Sequence, residues 1–261
     1  MPPIGDGKAF SHCKETFLKD LVIHKTDYAI LIPDNIPGAP IGDVPTCLEL
    51  MQSEPNIFLL GTIDIQRQGQ EWIDVLSDLL KNNKLFGMKI FPGHDPIYPS
   101  DQRLFKVYSL CQEYRVPMVI HTGWNSNHPE VAVYNDPKYI VEVAMAFPYL
   151  PIVIAHYFWP EVEYCYQITR SCSNIYFDTS ALADPEVIEA TGKDKIRTVL
   201  TKTIVDNPET VMFGSDYACC DRGMHIELIK SLPISESVRE MVFWKNAVKL
   251  FKLNIKKNGM T

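Results

Sequence analysis

Several features that would assign this chain to a common class are missing from it. No apolar run approaches the roughly 18 residues needed to span a membrane, so no transmembrane helix is expected. The opening segment, MPPIGDGKAFSHCKE, holds no apolar stretch and does not read as a signal peptide. There is no C-x-x-C pair, and seven cysteines are an odd number. Both points weigh against a disulfide framework and toward reduced thiols in the cytoplasm. Positive charge is in deficit, with 25 Lys and Arg against 32 Asp and Glu and a net charge of −7. Nucleic acid is therefore not expected as the main partner, because neutralising phosphates needs clustered cations. No strand-like run is followed by a glycine-rich phosphate loop. Internal repeats and low-complexity segments are absent as well.

What is present is an enzyme-sized chain with ample material for a core. Its 261 residues match one α/β barrel, which takes roughly 250, and 46% of them are apolar. One domain over 1–261 is expected. Strand-like runs occupy 27–33, 56–64, 85–91, 117–123, 151–156, 175–180 and 211–217. Helical patterns fall at 11–25, 45–54, 71–83, 101–114, 137–147 and 160–171, with a helical region near 185–206 and an amphipathic closing helix at 236–253. Such alternation implies a parallel sheet covered on its faces. Seven strands preceded by one helix correspond to a TIM-like (β/α)8 barrel lacking its first strand. A doubly wound open sheet fits less well, since it gathers its site at one switch point.

The polar residues here instead end at least four different strands. PMVIHTG ends near His121, PIVIAH at His156, IYFDTS near Asp178 and VMFGSDY near Asp216. The C-terminal strand ends are where an α/β barrel carries its chemistry. His121 and Asp216 are the first choices as metal ligands, since imidazole and carboxylate suit zinc, manganese or iron. His156 is expected to shuttle protons and, secondarily, to join them as a ligand. A histidine ending a buried strand serves equally well by bonding a loop, and an aspartate there by capping a helix. Three such residues on three strands of one barrel would nevertheless converge about its axis. Lys89, His94, Trp124 and Asp178 are expected substrate contacts, Asp178 alternatively orienting a histidine. The Pro- and Asn-rich connections 92–101 and 124–136 read as substrate-facing loops. Tyr157, Phe158 and Trp159 follow a His-bearing strand directly and either wall the pocket or pack beneath it. His12, His24 and His225 read as surface or packing residues, and His128 as part of the mouth. Cys219 and Cys220 lie just past Asp216, without the setting of a nucleophile.

GMKIFP, PMVIHTG, PIVIAH, NIYFDTS, MFGSDY and KNAVKLF resemble, in order and spacing, the amidohydrolase-related family of the metal-dependent hydrolase superfamily, which includes aminocarboxymuconate-semialdehyde decarboxylase. The resemblance runs from about 85 to 253, and more loosely from 8 to 84. It implies that His121 is the fifth-strand metal ligand and Asp216 the eighth-strand aspartate that binds metal and helps activate water. His156 then matches the sixth-strand acid–base residue or ligand. A divalent metal, zinc first and manganese or iron otherwise, is implied, and a small molecule is the implied substrate. The implied reaction is hydrolysis by a metal-activated water, with non-oxidative decarboxylation of a small acid as an alternative. The family's first-strand His-x-His pair has no counterpart in this sequence. MPPIGDGKAF resembles the loop after that strand. Three accounts stay open: a natural chain longer by roughly 10–20 residues, a shortened barrel acting as a scaffold or binding module, or a strand donated by a partner. Self-association is likewise left open.

Overall fold

The computed structural model describes residues 7–36, 42–124 and 128–256. Its strands are β1 (Ala29–Leu31), β2 (Ile57–Leu59), β3 (Gly61–Thr62), β4 (Met88–Ile90), β5 (Met118–Ile120), β6 (Ile152–Ile154), β7 (Ile175–Asp178) and β8 (Val211–Met212). β2 and β3 are one expected strand interrupted at Leu60. Leu60 N–H donates to the Leu31 carbonyl at 3.0 Å, and Gly61 N–H to that of Gly87 at 2.9 Å. The segment thus joins the β1–β2 pair to the six-stranded run β3 to β8. All pairings are parallel and follow chain order. This is the expected α/β architecture. Among the described residues β8 and β1 form no ladder with each other.

Register and the two-residue period of a strand sort the side chains into two sets. Met88, Met118, Ile152 and Ile175 lie in register, as do Ile90, Ile120, Ile154 and Phe177. These eight residues belong to the large buried core that also holds helix residues such as Leu76, Val107, Ile140 and Val199. The opposite face stacks Leu60, Val119, Val153 and Met212 with Phe251 in a second, smaller core. Lys89 is in register with Val119 and Val153, and so belongs to that inner face.

The helices follow the expected pattern with three differences. The region near 185–206 is two helices, Pro185–Thr191 and Lys193–Asp206, separated by Gly192 at φ 92°. The closing helix contains a π-type turn, Met241–Lys245, between Glu236–Glu240 and Asn246–Leu250. Arg222–Lys230 forms a helix that the sequence pattern does not announce, capped by Asp221 Oδ1, which accepts from Met224 N–H at 2.7 Å. No described helix is long and apolar enough to cross a membrane.

Candidate active site

Four strand ends supply the site. His121 directly follows β5, and its backbone N–H still donates to the Ile90 carbonyl at 3.1 Å, so it is held in the sheet. Two residues beyond inward-facing Val119, its side chain has inward parity. Asp178 closes β7 two residues past Tyr176, which packs against the inner core. Asp216 lies four residues beyond Met212, past the end of β8, and reaches the cavity lining.

His156 breaks this rule. Alternation after Ile152 and Ile154 would aim it at the helix layer. Instead His156, Tyr157 and Phe158 all adopt left-handed backbone, at φ 66°, 54° and 55°. Non-glycine residues rarely hold such angles, and clusters of them mark functional sites. Neighbouring strand ends hold the segment in place. Thr122 Oγ1 donates to the Ala155 carbonyl at 2.5 Å and accepts from Phe158 N–H at 2.8 Å. His156 N–H donates to Asp178 Oδ1 at 3.3 Å. Asp216 is also left-handed, at φ 58°.

The rings then meet edge to face. His94 and His121 have centroids 4.6 Å apart, and His121 and His156 4.9 Å apart. A cavity of about 210 Å³ is lined by residues that include His121, Trp124, His156, Trp159, Asp216, Cys219 and Cys220, together with Asp184 and Glu186. Of the residues expected at the site, His121, Trp124, His156 and Asp216 line this one cavity. His94, Lys89 and Asp178 stand outside the lining. His94 touches His121; Asp178 reaches His156 and Ser180; Lys89 Nζ sits 5.2 Å from the Phe91 ring centre. Tyr157 is fully buried and stacked on Phe177, and Phe158 is buried, so both pack rather than wall the cavity. His128 is exposed and paired with Glu130 at 3.2 Å. The residues that sequence reasoning missed are Ser180, Thr122, Asp184 and Glu186. Ser180 and Thr122 stood visibly in IYFDTS and PMVIHTG, but hydroxyls carry no periodic signal.

Electrostatics favour neutral imidazoles beside a desolvated cation. Burial drives the His121 pKa well below the usual histidine value, and neighbouring His156, Lys89 and His94 push it further down. His94 is lowered as well, first by desolvation and then by Lys89 and His156. Burial also lowers Lys89, with Asp178 and Asp216 opposing that shift.

Neutral imidazole and carboxylate are metal-type donors. Among the described residues, however, no group of three or more His, Cys, Asp or Glu side chains converges so as to hold a metal ion. The described residues alone do not complete a metal site.

A parallel α/β sheet with its polar residues gathered at the C-terminal strand ends is the architecture of a TIM-barrel enzyme. The amidohydrolase family model matches residues 47–253, and the chain belongs to that family. Solved structures share the fold. An uncharacterised TIM-barrel protein from Bordetella bronchiseptica aligns with TM-score 0.74 at 19% identity, over 91% of this chain and 82% of the other. 2,6-Dihydroxybenzoate decarboxylase from Rhizobium aligns with TM-score 0.67 at 14% identity, over 96% and 93%. 5-Carboxyvanillate decarboxylase from Novosphingobium aromaticivorans, in complex with manganese and 4-hydroxy-3-methoxy-5-nitrobenzoic acid, aligns with TM-score 0.64 at 17% identity, over 91% and 80%. The curated proteins searched include no match to the chain.

Proposed function

We propose that this chain is an enzyme acting on a small carboxylic acid, with His156 as the group that moves a proton at the reacting carbon. The observation that carries the reading is the inward turn of His156, against strand alternation, into a cavity shared with His121 and Asp216. Trp124 and Trp159 offer flat apolar walls for an unsaturated or aromatic body. The reaction proposed is non-oxidative decarboxylation. The bond from carbon to the carboxylate breaks, carbon dioxide leaves, and the carbon keeps the electron pair and takes the proton from His156. Two relatives of this fold are decarboxylases of aromatic acids, which supports that choice.

Metal-assisted hydrolysis is the second reading, favoured by the family and by the donor chemistry of His121 and Asp216. It requires donors beyond those described.

A panel of small unsaturated and aromatic carboxylic acids, assayed for carbon dioxide and for hydrolysis products, separates the two. His156→Gln is expected to lower kcat on any accepted acid by roughly 10²- to 10⁴-fold, the usual contribution of a positioned acid–base group. Equal turnover by the variant would remove His156 from the proton transfer and overturn the proposal.

A further inference from the structure

We propose that Ser180 is a positioning residue that sets the tautomer of His156, standing between Asp178 and the imidazole. The inference deepens the reading of His156 as the proton-moving group and rests on it for its functional consequence. Its geometry is independent of the reaction. Ser180 Oγ lies 2.9 Å from His156 Nδ1 and donates to Asp178 Oδ1. The same carboxylate oxygen accepts from Ser180 N–H at 3.0 Å and from His156 N–H at 3.3 Å. Asp178 thus touches His156 only at its backbone among these bonds, and the ring is reached through Ser180.

Proton counting does the rest. A hydroxyl has one proton to give, and a carboxylate can only accept. With three donors converging on Asp178 Oδ1, the Ser180 proton is committed to the carboxylate. Ser180 Oγ then offers His156 a lone pair alone, so Nδ1 must carry the ring proton. Nε2 is the cavity-side nitrogen: in the doubly protonated ring it carries the proton delivered to the carbon, and once that proton is given the ring is left neutral with Nδ1–H and a bare Nε2. Ser180 and His156 are each only 6% exposed, which shields the arrangement from water. Thr179 Oγ1, bonded at 3.1 Å to both the N–H and the carbonyl of Gly214, pins this strand end to the one carrying Asp216.

The test is long-range proton–nitrogen correlation of the histidine rings in the full ¹⁵N-labelled chain. It is recorded roughly 1.5 units above the ordinary histidine pKa of about 6.5, where imidazole is neutral. The His156 signals are assigned by their loss in His156→Gln. An Nδ1–H pattern in the wild-type chain that shifts to Nε2–H or to a mixture in Ser180→Ala is the expected result. In turnover the same variant should lose roughly tenfold or more in kcat with little change in KM. An Nε2–H pattern in the wild-type chain overturns the proposal even if the alanine variant fails to fold. So does a folded Ser180→Ala whose pattern is unchanged. A chain that turns over none of the panel acids yet shows the expected tautomer shift refutes the proposed reaction and leaves the role of Ser180 standing.

Discussion

His225 shows how a buried residue constrains its own protonation. Its Nε2 accepts from Ala183 N–H at 3.2 Å, and its Nδ1 lies 2.7 Å from the Asp221 carbonyl. The first contact needs a bare nitrogen, and the residue is fully buried. Burial holds its pKa below the usual value, with the Asp221 carbonyl opposing. Below about pH 6.5 the unfolded chain therefore binds a proton that the folded chain refuses. Stability should fall as pH drops through that value, until the lower folded pKa is passed, by up to about 1.4 kcal/mol per pH unit for this group. Urea unfolding across a pH series checks this. His225→Gln should flatten the acid-side slope by about one proton, and an unchanged slope would refute the assignment. At this scale the sequence was readable where chemistry and strand parity agree, as at His121. It was unreadable for the link between Ser180 and His156, because residues 24 apart in the chain meet only when two strands lie side by side.

Elements hold the unusual backbone that single residues cannot hold alone. The left-handed run His156–Phe158 depends on Thr122, whose hydroxyl serves one carbonyl and one N–H of a neighbouring strand end. Thr122→Val keeps the shape and removes both bonds, leaving buried polar groups without partners. It is expected to cost about 1–3 kcal/mol in denaturant unfolding, while Thr122→Ser should stay within about 1 kcal/mol of the wild-type chain. A valine variant of unchanged midpoint would show that the segment is held by something else. Strand positions were legible because short apolar runs ended in polar residues at regular intervals. The helix Arg222–Lys230 escaped notice because its apolar residues are few and its start is set by a cap. The break at Gly192 was hidden inside a helical pattern that continues on both sides of it.

At the scale of the whole molecule, the arrangement of strands decides what the site can bind. Neutral His121, Asp216 and the cavity are in place, yet no described group of three donors forms a metal site. On the described donors alone, the chain loaded with zinc or manganese and then desalted is expected to keep far less than one metal per chain by elemental analysis. Near-stoichiometric metal that disappears in His121→Ala would show instead that the site closes in solution. The parallel order and the seven strand positions follow from hydrophobic period, and His121 and Asp216 stand out by residue type at strand ends, all of which are local properties of a chain. The inward turn of His156, the Asp178–Ser180–His156 contacts and the separation of Lys89, His94 and Asp178 from the cavity wall were decided only by tertiary structure. Each depends on the distance between atoms of different strands, and a pattern along one strand carries no information about that distance.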